Sequence, residues 1–261
     1  MNITKNLIRL NKALARSGVC SRRKADALIS SGQVIVNDQV IRELGTMVDP
    51  EKDRIMVRNQ VVSVNRADRD GLIYVALNKP IQVVTTVSDP QGRKTVIDFL
   101  PDNLNNQRLY PVGRLDFFSQ GLIIMTNDGE LTHRLTHPSW EHPKVYLLVV
   151  KEKPVNRMLE TMARGMTLKD GRQLAPVKVR ILSFGLDRTT LEMILIQGIN
   201  RQIRRMCDDL GLTILKLTRT SHGPLSLGNL RPGQIRELTP DEVRILRKSV
   251  GLSFAGKRET S

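Results

Sequence analysis

Aromatic side chains are scarce in this chain of 261 residues: one Trp, three Tyr and five Phe make up 3% of it. That excludes a surface that holds nucleic acid on rows of stacked aromatics, so any such recognition must lean on arginine, lysine and shape. Cysteine is nearly absent. Cys20 and Cys207 stand far apart and form no C-x-x-C pair, which excludes a disulfide framework and a thiolate zinc site and leaves each as a small apolar residue in a helical pattern. No apolar run approaches the roughly 18 residues of a membrane-crossing helix, and the N-terminus lacks the apolar core of a signal peptide. The expectation is a soluble, cytoplasmic protein with no membrane partner. Acidic residues are the last shortage: 26 Asp and Glu stand against 41 Lys and Arg, a formal net charge of +15. Such an excess points to a polyanionic partner.

What remains is ordinary in apolar content, 40%, and long enough for one large or two modest cores. Residues 1 to 30 carry Lys5, Arg9, Lys12, Arg16, Arg22, Arg23 and Lys24 against one acid, Asp26. Leu7, Leu10, Leu14 and Ala15 recur at helical spacing, which puts most of these cations on the opposite face. Ser17-Gly18 ends that helix, and Ser21 caps a second one whose first turn holds Arg22, Arg23 and Lys24. Cations there oppose the helix dipole by about a few tenths of a kcal/mol each, so phosphate binding explains them better than helix stability does. Two hairpins follow: Val34-Ile35-Val36 with Val40-Ile41 around Asn37-Asp38, and Ile55-Met56-Val57 with Val61-Val62 around Asn59-Gln60.

Asn65 to Gly71 is polar and without periodicity and reads as a linker. The expected organisation is a first domain over 1–64, the linker 65–71, a second domain over 72–252 and a polar tail over 253–261. In the second domain strands are expected over Leu72–Leu77, Val83–Thr86, Arg108–Val112, Leu122–Thr126, Val145–Val150, Val177–Leu182 and Thr190–Ile196. Asn78-Lys79-Pro80 reads as a turn, Thr95–Leu100 as a short helix stopped by Pro101, and Val155–Arg164 and Asn200–Leu210 as helices. The class is α+β, a mixed and mainly antiparallel sheet with flanking helices.

The most informative stretch runs from Pro111 to Leu122. Asp116 lies in a short loop beside Gly113 and Arg114 that feeds the apolar Leu122-Ile123-Ile124-Met125, good placing for a nucleophilic carboxylate held by a rigid strand. In Asn200–Leu210, Ile203, Met206, Cys207 and Leu210 form an apolar stripe with Arg201, Arg205 and Asp208 opposite. Arg204 falls on the boundary, from which an arginine can either reach a buried carboxylate or pair with Asp208 on the surface. Tyr146, at the start of a strand, is either a half-buried sheet residue or an aromatic platform. His133, His137 and His142 lie near Asp128, Glu130 and Glu141, but Pro138 breaks the helical spacing and no H-E-x-x-H occurs, so no metal site is expected.

Gly113-Arg114-Leu115-Asp116, with Ser119-Gln120-Gly121-Leu122 and Thr126-Asn127-Asp128-Gly129, resembles the catalytic motif of the ribosomal RNA pseudouridine synthases. Lys144-Val145-Tyr146 and Asn200-Arg201-Gln202-Ile203-Arg204-Arg205-Met206 match the same family in the expected order. Arg9-Leu10-Asn11-Lys12 and residues 17 to 23 resemble the S4 RNA-binding domain. The resemblance implies an isomerase with Asp116 as nucleophile, Tyr146 as platform for a flipped uracil and Arg204 as partner of Asp116. It departs at Ile199, where many relatives carry arginine, so that position is given no role. The implied partner is ribosomal RNA, of the large subunit by the look of the motifs, bound by a monomer without cofactor or small-molecule substrate. Candidate RNA contacts are Arg9, Lys12, Arg22, Arg23, Lys24, Arg93, Lys94, Arg114, Arg201 and Arg205. The rival reading is a non-catalytic S4-type assembly or rescue factor, which would have no need of Asp116, Tyr146 and Arg204 together.

Overall fold

The computed structural model describes residues 7–64 and 71–253, so residues 65–70 of the expected linker and the tail beyond 253 lie outside it. The chain divides into two units between Leu72 and Ile73. In the first, strand β1 (Ile8–Arg9) leads into helix α1 (Leu10–Arg16), and α2 (Arg22–Ser30) follows. Ser21 caps α2 as expected, its side chain accepting the Lys24 N–H at 3.2 Å. The first helix starts later than Leu7, because Ile8–Arg9 pairs instead with β4 (Met47–Val48).

The two hairpins form one antiparallel sheet in the order β3 (Gln39–Ile41), β2 (Val34–Val36), β5 (Ile55–Val57), β6 (Gln60–Val61). Asn37 and Asp38 take φ of 48° and 65°, the left-handed pair that a two-residue hairpin loop needs. The second hairpin turns at Arg58 and Asn59, with φ of 50° and 65°, one residue earlier than the sequence suggested. Leu10, Ala13, Leu14, Ala25, Leu28, Ile29, Val34, Ile55 and Val57 close this unit's core.

The second unit is built on a nine-stranded sheet. Its main path runs β11 (Lys178–Phe184), β12 (Thr189–Leu195), β10 (Lys144–Val150), β13 (Ile214–His222), β9 (Gln120–Thr126), β7 (Tyr74–Lys79), β15 (Ile235–Glu237). β8 (Tyr110–Pro111) pairs with β9, and β14 (Leu225–Ser226) pairs with β13. Every pairing is antiparallel except the short β9–β13 contact, Thr218 with Gln120 and Arg219 with Gly121. That parallel contact is the seam between two antiparallel halves. Helices α4 (Asn156–Arg164) and α5 (Gln202–Asp209) cover one half, and α3 (Gly129–Thr136) and α6 (Pro240–Ser249) cover one face of the other. The class is thus α+β with a mixed, mainly antiparallel sheet.

Two local readings are corrected. Asn78-Lys79-Pro80 is no turn: β7 continues through Lys79, fully buried, because its ammonium donates to the carbonyls of Pro80 at 2.8 Å and Val83 at 2.9 Å. Val83–Thr86 forms no strand, only an isolated parallel bridge from Val84 to Thr95, since the polar loop after it folds back at once. The short helix before Pro101 is a 3-10 turn over Val96–Phe99.

Candidate active site

Asp116 sits on a loop whose backbone is pinned at successive residues. The Leu115 N–H donates to Thr85 Oγ1 at 3.2 Å, and that hydroxyl donates to the Leu115 carbonyl at 2.8 Å. The Phe117 carbonyl accepts from the Gln82 N–H at 2.7 Å, and the Ser119 N–H donates to the Asp116 carbonyl at 3.0 Å. Arg204, reaching in from α5, donates to the Phe118 carbonyl at 2.8 Å and to the buried Ser119 Oγ at 3.0 Å. The same guanidinium places Nε 3.6 Å from Asp116 Oδ2, an ion pair at longer than hydrogen-bond range. Both side chains are largely enclosed, 18% and 28% exposed. Burial works against the Arg204 charge and Asp116 supports it. Arg204 therefore turns inward to the carboxylate, and among the described residues its ion pair is with Asp116 and not with Asp208. Arg201, at the start of α5, takes a left-handed φ of 52°. Such strain costs about 1–3 kcal/mol in a residue with a side chain and collects at functional loops.

Across the seam Gly121 faces Arg219 so closely that a Cβ would stand 2.2 Å from the Arg219 carbonyl oxygen, which only glycine permits. Arg219 is 2% exposed, donates through Nε to the Leu122 carbonyl at 2.9 Å, and leaves one amino group without a partner. On the other side of β13, Arg219 is the cross-strand partner of Tyr146, and His222 that of Lys144. An irregularity leaves Thr220 unmatched between these pairs, and so brings Arg219 and His222 to the same face. Tyr146 packs against both the core under α4 and α5 and the core on the other half of the sheet.

Cations gather near Asp116, with Arg204 paired to it and the buried Lys79 close enough to feel its charge. Burial, with help from Arg219, pushes Lys79 down to about 8 from the ordinary 10.5, while Asp116 pulls the other way. Burial and Arg219 likewise bring Lys144 to about 8. A lysine whose folded value lies below its unfolded one binds fewer protons folded than unfolded above that value. Stability should therefore rise as pH climbs from about 8 toward 10.5, and the rise should be smaller in Lys79→Met. Urea unfolding at stepped pH checks this; an equal rise in wild type and variant would remove Lys79 from the account.

The RNA pseudouridylate synthase model matches residues 73–209, and the S4 domain model matches residues 8–55. The ribosomal large subunit pseudouridine synthase B of Bacillus subtilis is 41% identical over 92% of this chain and 95% of its own length. The chain belongs to the RNA pseudouridylate synthase family. The dual-specificity RNA pseudouridine synthase RluF of Escherichia coli is 36% identical over 93% of this chain and 79% of its own. A crystal structure of a pseudouridylate synthase superposes with a TM-score of 0.65 at 26% identity, covering 92% of this chain and 99% of that one.

Within this pseudouridylate synthase the expected contacts divide into the exposed and the engaged. Arg9, Arg22, Arg23, Lys24, Arg114 and Arg201 are exposed, and Lys12 is half-buried. Arg93 is clamped by Asp89 through two side-chain bonds of 3.0 and 2.7 Å, and Arg205 pairs with Asp170. The Lys94 ammonium lies 4.5 Å from the centre of the Phe99 ring. Lys79 and Arg219 escaped sequence reasoning: one looked like part of a turn, the other lies in a strand whose polar alternation hides it.

Thr126-Asn127-Asp128-Gly129 proves to be architectural. Asp128 caps α3, accepting the Glu130 and Leu131 N–H at 3.1 and 3.0 Å, receives the Tyr74 hydroxyl at 2.8 Å, and pairs with Arg247 of α6. Thr126 Oγ1 donates to the Ile73 carbonyl at 2.6 Å, and Asn127 accepts the Ile73 N–H at 2.9 Å. Asp128 is thereby committed, and among the described residues no three His, Cys, Asp or Glu side chains gather as metal ligands. Asp128→Ala should cost roughly 3–5 kcal/mol, because it strands Arg247, itself largely buried, and removes a cap worth about 1 kcal/mol. Urea denaturation measures this; a loss near the cap value alone would mean Arg247 finds water.

Proposed function

We propose that the protein isomerises uridine to pseudouridine at specific sites of ribosomal RNA, that of the large subunit, with Asp116 as nucleophile and the target base turned out of its stack. The observation that carries the reading is the pinned loop that presents Asp116 beside Arg204. The name of the Bacillus subtilis relative favours the large subunit.

The reaction breaks the bond between nitrogen 1 of the base and carbon 1′ of the sugar, rotates the base and joins its carbon 5 to that sugar carbon, the carbon 5 proton leaving and nitrogen 1 gaining one. Atoms and electrons are conserved, so the chemistry asks for no cofactor. It asks for a nucleophile that bonds and releases, a surface for the freed base, a counter-charge and exclusion of water. Asp116, Tyr146 and Arg204 supply the first three from one chain, which supports a monomer as the working form. A stacked uridine is out of reach, so the target leaves its stack at a cost of a few kcal/mol. Residues 1–64 form the RNA-holding module in this reading, with Arg9, Lys12, Arg22, Arg23 and Lys24 at phosphates, residues 65–71 the linker and 72–252 the catalytic domain. Arg93, Lys94, Arg114, Arg201 and Arg205 are the proposed contacts of the catalytic domain, Arg93 and Arg205 on release from their carboxylates. The setting is the cytoplasm.

The test is to map pseudouridine in ribosomal and transfer RNA from cells with and without the gene. Loss of one or more large-subunit sites is expected. Identical maps would return the protein to the class of non-catalytic RNA binders.

A further inference from the structure

Two of the five phenylalanines in a chain with few aromatics stand side by side on the loop that carries Asp116. Phe117 is half-buried, but Phe118 is 58% exposed. A large apolar ring on a loop can normally be folded under. Here the backbone forbids it: the Phe118 carbonyl is held by Arg204 at 2.8 Å, the Phe117 carbonyl by the Gln82 N–H at 2.7 Å, and Ser119 is buried. The Phe118 ring is also braced, meeting Phe117 edge to face at 5.1 Å with the planes at 82°. The Arg93 guanidinium lies 6.0 Å from the centre of the Phe117 ring. Ile81, next to the Gln82 that holds the loop, is 51% exposed as well. An aromatic ring exposed on a held backbone, with Arg204 on its carbonyl, Arg93 near its neighbour and the candidate nucleophile two residues away, has the make-up of a stacking platform for single-stranded nucleic acid.

We propose that Phe118 is a base-stacking subsite for a nucleobase adjoining the target uridine, occupied while the target lies against Asp116. The proposal rests on the RNA substrate argued above. Turning one nucleotide out of a strand deprives its neighbour of a stacking partner, and the Phe118 ring replaces that partner at the place where it is lost. The subsite reads a π face and so tolerates any base. Its contribution is to hold the opened strand in position, which makes Phe118 a binding and positioning residue and leaves the chemistry to Asp116.

The experiment uses the full chain and a large-subunit ribosomal RNA transcript tritiated at uridine carbon 5, with single-turnover rates measured across RNA concentration. Phe118→Ala and Phe118→Leu should raise the half-saturating RNA concentration about 5- to 100-fold, and Phe118→Tyr should restore wild-type saturation. Leucine is the critical variant, since it keeps apolar bulk and loses the π face. Thermal midpoints should match throughout, because the ring is exposed. Phe118→Leu saturating like wild type would reduce the ring to apolar packing and overturn the subsite, as would an unaffected Phe118→Ala. Those results presuppose an active wild type and leave the proposed function standing, whereas a wild type that releases no tritium overturns both.

Discussion

Asp116→Asn should release essentially no tritium from RNA labelled at uridine carbon 5, a loss of about 10⁴-fold or more, while binding that RNA as tightly as the wild type. The separation is expected because the loop does not depend on the Asp116 side chain for its shape. Thr85 holds Leu115, Gln82 holds Phe117 and Arg204 holds Phe118 and Ser119, all through bonds that an amide at position 116 leaves alone. The amide has the carboxylate's outline and lacks its nucleophilic charge, so geometry survives and chemistry does not. Single-turnover tritium release and filter binding on one preparation give both numbers. Turnover of even a few per cent would take the nucleophile's role from Asp116.

Arg204→Lys should follow, with turnover down roughly 10²- to 10³-fold and affinity nearly kept. The guanidinium does two things through one planar fork: its NH2 group fastens the loop at Phe118 and Ser119 while Nε faces Asp116. A lysine retains the charge but concentrates its donors at one point, so it can serve the loop or the carboxylate and not both. Arg22→Ala and Arg23→Ala should fail in the opposite sense. Exposed in the first turn of α2, they are proposed to touch phosphate, so affinity and its salt dependence should drop while the rate at saturating RNA holds. If Arg204→Lys lost affinity alone, its place in the active site would be withdrawn.

Much of this molecule was legible in advance, and what was missed shares a physical cause. The hairpin at Asn37-Asp38, the Ser21 cap, the buried strand after Asp116 and the inward face of α5 all follow from local rules: left-handed turns, capping oxygens, periodicity. At the candidate site the motifs pointed to a pairing of Arg204 with Asp116, which the structure contains, while the catalytic roles of Asp116, Tyr146 and Arg204 belong to the proposal. Asn78-Lys79-Pro80 misled because a lysine before proline reads as a solvated turn, and its burial depends on carbonyls that only the folded loop brings to it. β13 reads Ile-Leu-Lys-Leu-Thr-Arg-Thr-Ser-His, too polar for a central strand by composition. Arg219 and His222 are nonetheless buried in it, and their burial depends on tertiary neighbours that local propensity does not see. The final helix did carry a signal, Thr239 with Glu242 in a capping box ahead of an apolar stripe, and was legible though it went unread.

The seam where β9 meets β13 also sets the order in which this enzyme can come into being. Arg219 and the Leu122 carbonyl that it holds are 97 residues apart, and joining such distant points costs roughly 4 kcal/mol of chain entropy before any contact repays it. Asp116 belongs to the half that begins with β7 and is closed only by β15 and α6, while Tyr146 and Arg204 belong to the half completed by β13. Each half has its own apolar core and can gather separately, yet neither contains a working site. As the chain leaves the ribosome, Asp116 and Arg204 can therefore be set against each other only after residues past Arg219, and those of α6 that close the Asp116 half, have emerged. A chain truncated before β13 would have Asp116, Tyr146 and Arg204 without the strand that joins their two halves.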